Sequence, residues 1–175
     1  MAIKILLFDT CAILKFFIEE TGSDSVRYMV RNRTLLGLNI SVATIARLEF
    51  ENVLWKKTAH GQLSIPQTRN ILQRARGYFR DVFRVRDDDP IPAFKAGKPM
   101  AYKEIVKKYG LKIGRDDRDV WHIMCVHNYL RCFGGVSLPQ IVTSDPNFKK
   151  IIKAEGYGVI DPKEVTPKQL EERWG

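Results

Sequence analysis

The chain has 175 residues, of which 45% are hydrophobic and 28% are charged, as in a folded globular protein of one domain rather than a disordered or fibrous chain. No apolar run approaches the roughly 20 residues that cross a bilayer, and the N-terminus shows no secretory signal pattern. We therefore expect a cytoplasmic protein with no membrane partner. The formal charge of +9 fits either a merely basic surface or a polyanionic partner, most simply a nucleic acid. Three cysteines without paired short spacings argue against a disulfide framework or a zinc knuckle.

The first predicted strand ends in an acid. Residues 3–8 form a short apolar run that is typical of a strand buried on both faces. Asp9 follows directly, and the apolar spacing of residues 12–17 then predicts a helix. Asp9 is expected at a strand-to-helix junction, where it either caps the helix or serves as a site acid.

Two helices and a strand are predicted next. A helix over 26–33 has Asp24 or Ser25 as its cap, and residues 39–42 form a second buried strand. A long helical stretch then covers 44–57. Its apolar face is expected from Ile45, Leu48, Val53, Leu54 and Trp55.

This long helix carries two candidate site acids. Glu49 is flanked at four-residue steps by Ile45 and Val53, so it should point inward, where a buried carboxylate needs a partner or a metal. Glu51 lies on a different face, one turn after Arg47, which favours a solvated ion pair. Glu49 is preferred as the helix acid, and Glu51 remains the alternative.

The next predicted helix is rich in arginine. It starts after a break at 61–64 and runs from Ile65 to about Arg84, with apolar residues at helical spacing. Its basic side indicates either a solvated charged face, a face that contacts phosphates, or a seat for a partner. The arginines are Arg69, Arg74, Arg76, Arg80, Arg84 and Arg86.

An irregular stretch follows. Three acids at 87–89 precede prolines and predict a loop, residues 90–99 form an exposed segment, and 101–109 form a short helix. We interpret about 60–114 as a helical and loop excursion from a single domain of residues 1–175.

A cluster of acids opens the following helix. Asp116 or Asp117 can cap it, and Asp116 shares a face with Asp119, which should lie near the core side. Acids in a first helical turn also suit the helix macrodipole, which explains one or two of them without a site. His122, three residues after Asp119, is interpreted as a packed residue rather than a ligand.

The last part of the chain repeats the strand–acid pattern. Residues 140–143 predict a buried strand that ends at Ser144 and Asp145. A short helix over 146–152, a strand over 157–160 and a helical tail complete the chain.

Strands and helices alternate, which predicts a three-layer α/β/α fold with a central parallel sheet and a Rossmann-like topology. Strand ends then meet at one edge, where Asp9 and Asp145 stand, with Glu49 and Asp119 near helix starts. Two carboxylates about 4 Å apart repel by on the order of 4 kcal/mol at an effective dielectric near 20, so such a cluster needs cations. Oxygen ligands favour Mg²⁺ or Mn²⁺, and in a basic protein such an ion suits phosphodiester hydrolysis.

Four segments resemble motifs of the PIN-domain nucleases, a family that includes VapC-like and PilT N-terminus-like toxins. They are FDTCAIL, LEFENVL, DVWHIMCV and IVTSDPNF, in the family's order. The resemblance implies a PIN-like fold over nearly the whole chain. It implies that the metal-binding acids are Asp9, Glu49, Asp119 and Asp145, that Asp116 is a fifth acid, and that Thr10 and Ser144 are supporting hydroxyls.

The resemblance also implies an activity and partners. The expected activity is that of a Mg²⁺- or Mn²⁺-dependent endoribonuclease acting on single-stranded RNA. Many members are toxins with a small antitoxin protein as partner, and homodimers are common.

The sequence bears on two alternative functions. A haloacid-dehalogenase-type phosphatase needs a second Asp two positions after the first, where this chain has Cys11. A catalytically inactive PIN-like module that only binds RNA remains open.

Overall fold

The computed structural model describes residues 4–86, 106–112 and 140–175. Strands and helices alternate there as the hydrophobic pattern predicts. The elements in chain order are β1 (Lys4–Phe8), α1 (Thr10–Phe17), α2 (Ser23–Arg31), β2 (Leu38–Ala43), α3 (Thr44–Ala59), α4 (Ile65–Asp81), β3 (Arg84–Arg86), β4 (Gln140–Val142), α5 (Pro146–Ala154), β5 (Gly158–Ile160) and α6 (Pro167–Trp174).

The described strands form one parallel sheet in the order β3-β2-β1-β4-β5. β1 is its central strand, paired with β2 on one side and with β4 on the other. The chain therefore builds one half of the sheet outward from β1, then crosses over and builds the other half.

Helices pack on both faces of the sheet because side chains of successive strand residues point to opposite faces. Leu6 and Phe8 of β1 belong to a large core with residues of α1, α2, α3, α4 and α6. Leu7 belongs to a smaller core on the opposite face, together with Ile141 and residues of α5. The predicted three-layer α/β/α architecture is confirmed.

The apolar face of α3 differs from the prediction. Its buried residues are Ala46, Phe50 and Leu54, which recur at four-residue steps. Leu48 and Trp55, expected inside, are 55% and 44% exposed. The helix carries apolar side chains on two sides, and tertiary packing selects the side that meets α1 and α4.

Two boundaries also differ. α2 begins at Ser23 with Gly22 as its N-cap, rather than at a cap formed by Asp24 or Ser25. α4 ends at Asp81, and the segment expected to continue as helix turns into the short strand β3. The turn occurs because Phe83, 1% exposed, leaves the helix to pack against the ring of Phe8 under the sheet.

Some predicted features lie outside the described residues. They include the loop at 87–89, residues 87–105 and 113–114 of the excursion, and the helix predicted to carry Asp116, Asp119 and His122. Residues 106–109, the described part of the predicted helix over 101–109, are helical, and Val106 and Tyr109 pack against the smaller core. None of the described helices combines the length and hydropathy that a membrane span requires.

Candidate functional site

The candidate site lies at the topological switch point of the sheet, between β1 and β4, where the strand order reverses. In open parallel sheets the loops that follow two such strands leave in opposite directions, which opens a crevice at their carboxyl ends. The ladder between the two strands extends to Asp9, whose backbone N–H donates to the carbonyl of Val142 at 3.1 Å. A pocket of about 200 Å³ lies beside these strand ends.

Three of the acids predicted from the sequence line this one pocket. Asp9 follows β1, Glu49 lies in α3, and Asp145 follows β4, so they come from three distant segments. Apolar side chains complete the walls. The lining residues are Asp9, Thr10, Cys11, Leu14, Glu49, Val53, Asp145 and Phe148.

Asp9 caps α1 and also lines the pocket. Its carboxylate Oδ1 accepts the backbone N–H of Thr10 at 2.6 Å, so it caps α1. Its Oδ2 accepts the hydroxyl of Thr143 at 2.7 Å and the thiol of Cys11 at 3.1 Å. The carboxylate is only 9% exposed, and these donors satisfy a buried group that would otherwise be costly to desolvate.

Glu49 is held by the hydroxyl of Thr10, which donates to its Oε2 at 2.7 Å. The contact forms because α3 starts directly beside α1, with the Ala46 carbonyl 3.5 Å from the same hydroxyl. Glu49 is half-buried and lines the pocket. Glu51 is also half-buried but is not among the lining residues. Arg47, the expected partner of Glu51, has its guanidinium 5.8 Å from the centre of the Phe79 ring. The position of Glu49 thus fits a site role better than that of Glu51.

Asp145 caps α5 through one of its two oxygens. Oδ1 accepts the backbone N–H groups of Asn147 and Phe148 at 2.8 and 3.0 Å. Oδ2 accepts no hydrogen bond from the described part of the chain. Within the described residues, one oxygen is therefore used to cap the helix and the other is not.

Thr143 connects the two strand-end acids, and the sequence reasoning missed it. The residue is fully buried; its hydroxyl donates to Asp9 and accepts the backbone N–H of Asp145 at 3.1 Å. The expected supporting hydroxyl was that of the next residue, Ser144. That hydroxyl instead donates to Asp161 at 2.7 Å, on the side of β5. The signal for Thr143 is a threonine at the end of an apolar strand, two residues before an acid.

Cys11 also belongs to the site. Its Sγ accepts the backbone N–H of Ser144 at 3.1 Å while the thiol donates to Asp9. Burial and the negative charge of Asp9 raise the pKa of the Cys11 thiol to about 12. The thiol therefore stays protonated at neutral pH and acts as a hydrogen-bond donor to Asp9 rather than as a nucleophile.

A buried ion pair supports the β4 side of the site. Asp161, 6% exposed, follows β5 and accepts hydrogen bonds from Ser144, Lys149 and the backbone of Lys163. Burial alone would raise the pKa of Asp161, but the ammonium of Lys149 and the other two donors hold it below its ordinary value. Lys149 also contacts the exposed Glu164 at 3.0 Å, so its charge is paired with two carboxylates.

The pocket acids suit a hard divalent cation in donor chemistry, since all three offer carboxylate oxygens. Within residues 4–86, 106–112 and 140–175, however, no three His, Cys, Asp or Glu side chains lie close enough together to hold a metal ion. The described acids therefore do not form a three-ligand group by themselves. Asp116 and Asp119, the other predicted ligands, lie outside the described residues.

Comparison with known proteins leaves the family open: no family model matches the chain, and neither does any curated protein. The resemblance to PIN-domain nucleases stays a prediction that rests on the four motifs.

Proposed function

We propose that this protein is a Mg²⁺- or Mn²⁺-dependent endoribonuclease that hydrolyses phosphodiester bonds of single-stranded RNA. The observation that carries the proposal is that Asp9, Glu49 and Asp145 line one pocket at the switch point of the sheet. The whole chain, with the acids of this pocket included, has a formal net charge of +9, which attracts a polyanionic substrate.

The ligand set proposed for the ion starts from the strand ends. Asp9, Asp119 and Asp145 would hold it. Glu49 would complete the set or orient a ligand or water. A bound ion of this kind activates water for attack and neutralises charge that develops on the phosphate.

The neighbouring side chains keep these carboxylates in place. Thr143 ties Asp9 to the backbone of Asp145, and Thr10 fixes the rotamer of Glu49. The protonated thiol of Cys11 donates to Asp9 without adding a charge of its own. Preorganised ligands of this kind need no rearrangement when substrate arrives, which is how a rigid site lowers a barrier.

The biological role proposed from the resemblance is that of a toxin with a small antitoxin protein as partner, acting as a homodimer. A toxin of this kind should arrest growth when it is expressed alone, and co-expression of a small protein encoded beside it should restore growth. Growth unaffected by the active enzyme would leave a nuclease without a toxin role.

The decisive test is cleavage of a 5′-labelled single-stranded RNA with Mg²⁺ or Mn²⁺. Asp9→Asn should lower the rate by about a hundredfold or more, because it removes a charged ligand without changing shape. Glu49→Gln should also lower the rate.

The matched control for this test is Glu51→Gln, which makes the same chemical change on the same helix but outside the pocket. It should stay within a few-fold of the wild type. Equal activity of wild type and Asp9→Asn, or cleavage that persists in EDTA, would contradict the proposal.

An RNA-binding module without catalysis is the second candidate. It is favoured by the finding that the described acids alone do not form a three-ligand group. RNA binding that is equal with Mg²⁺ and with EDTA, with no cleavage of any substrate, would favour this module.

A further inference from the structure

A row of arginines runs along the exposed face of α4. Arg69, Arg76 and Arg80, together with Gln73, recur at steps of four, three and four residues, so they share one side of the helix. All four are exposed. Arg80 lies eleven residues after Arg69, a distance of about 16 Å along the helix axis.

The row faces away from the protein because the opposite side of α4 is buried. Thr68, Ile71, Ala75 and Phe79 form that buried side and pack toward α3 and the core. Arg74 is not part of the row, since its guanidinium lies 5.9 Å from the centre of the Phe17 ring.

Acids of the described residues compensate little of the charge of the row. In the part of the chain that the structure describes, neither Arg69 nor Arg76 has an acidic group within ion-pair distance. Arg80 pairs with Asp81, the only acid in α4, but the two side chains are 79% and 57% exposed. Such an exposed pair is weak and exchanges readily for another anion.

The row ends in a groove of about 480 Å³ that Arg80 and Arg33 both line. The floor of the groove is the edge of β2. Because β3 begins opposite Ser41, residues 38–40 of β2 have no strand beside them on that edge within the described chain. The groove therefore places this strand edge beside the half-buried Arg33, whose guanidinium is anchored on the carbonyl of Val30 at 3.2 Å.

We propose that the α4 row and this groove bind the sugar–phosphate backbone of single-stranded RNA outside the acidic pocket. Guanidinium groups suit phosphates because their planar donors form paired hydrogen bonds with phosphate oxygens. An acidic protein is a poorer match for the row, since protein interfaces need an apolar centre and the four row residues are all arginine or glutamine. The inference rests on the proposed function for the identity of the polyanion.

The test is RNA binding measured without cleavage. The parent is the Asp9→Asn variant in EDTA, and the probe is a fluorescein-labelled single-stranded 20-mer followed by anisotropy at several salt concentrations. Arg69→Gln with Arg76→Gln should weaken binding on the order of tenfold at low salt. Loss of two phosphate contacts should also reduce the slope of log K against log salt by about 1.4.

The control removes two lysines elsewhere, Lys153→Gln with Lys168→Gln, on α5 and α6. Both are exposed, so the net charge falls equally while the row stays intact. This variant should bind like the parent apart from a small effect of net charge.

Two outcomes would overturn the inference. One is equal affinity of the parent and the arginine variant, as expected if the row instead seats an acidic protein. The other is an equal loss in both double variants, which would mean that net charge alone governs binding. Because the assay needs no catalysis, an absence of nuclease activity would contradict the proposed function without deciding the role of the row.

Discussion

Thr143 is the side chain on which the geometry of the acidic pocket depends most directly. It is buried and bridges Asp9 to the backbone of Asp145. Thr143→Val keeps the shape but leaves a buried carboxylate short of one donor, which should cost about 1–3 kcal/mol of unfolding free energy. RNA cleavage should fall about tenfold to a hundredfold, because the ligands shift relative to each other.

The control for this prediction is Thr143→Ser, which keeps the hydroxyl and should retain most of the activity. Urea unfolding and cleavage rates measured on the same preparations separate loss of fold from loss of positioning. A Thr143→Val variant that cleaves as fast as wild type would remove Thr143 from the site.

Asp161 should make stability depend on acidity. The pKa of Asp161 in the folded protein lies below its ordinary value. The ionised carboxylate therefore stabilises the fold fully above the unfolded-state pKa near 4, and this stabilisation is lost as the pH falls through the pKa of the folded protein. Asp161→Asn should therefore lower the unfolding free energy by about 1–3 kcal/mol at pH 7. The difference from wild type should shrink as the pH drops below about 4.

Urea unfolding at pH 7 and at pH 3 measures this change. The exposed acid Glu172 provides the control, and Glu172→Gln should alter stability by less than about 0.5 kcal/mol at either pH. A gap between wild type and Asp161→Asn that is the same at both values would contradict the ion-pair account.

Among single residues, the sequence predicts the positions of those that follow from an apolar run or from helical spacing. Asp9 and Asp145 each end an apolar run, and Glu49 follows from helical spacing, so one-dimensional reasoning reached all three. The contacts of Thr143 and Asp161 could not be predicted in this way, because they depend on which strands are neighbours in the sheet. Asp161 accepts a hydrogen bond from Ser144 because β5 pairs with β4. The local sequence does not determine that strand order.

For helices and strands, tertiary packing determines features that the periodicity of the sequence leaves open, such as which side of a helix is buried. α3 carries apolar residues on two sides, and only contact with α1 and α4 shows that the side with Phe50 is buried while that with Trp55 is exposed. β3 was missed because three residues of alternating arginine and valine are too short to be distinguished from the end of a helix.

The start of α2 offers a direct test of local geometry. Gly22 caps the helix at a φ of 90°, and a Cβ there would lie 2.7 Å from the backbone of Pro162. Gly22→Ala should therefore lower the unfolding free energy by about 2 kcal/mol or more, through backbone strain and the clash.

Gly77 provides the matched control, since it lies inside α4 with nothing within 4 Å of an added Cβ. Gly77→Ala should stabilise the protein by about 0.5–1 kcal/mol. Chemical denaturation of the two variants measures both effects, and equal stability of Gly22→Ala and wild type would contradict the close approach of Pro162.

For the whole molecule, topology brings the site together. The alternation of strands and helices predicted a parallel sheet, and the sheet places Asp9 and Asp145 on adjacent strands at its carboxyl edge. That step could be made from sequence because right-handed crossovers leave few arrangements. The separation of the carboxylates could not be predicted, since it depends on individual rotamers and on hydroxyls such as that of Thr143.

The central claim is that Asp9 and Asp145 share a divalent ion. Crystals soaked in Mn²⁺ and measured near the manganese absorption edge test it directly. We expect an anomalous peak in the pocket, bonded to both carboxylates and absent in Asp9→Asn. A pocket without such a peak, at Mn²⁺ concentrations that support cleavage, would contradict the account.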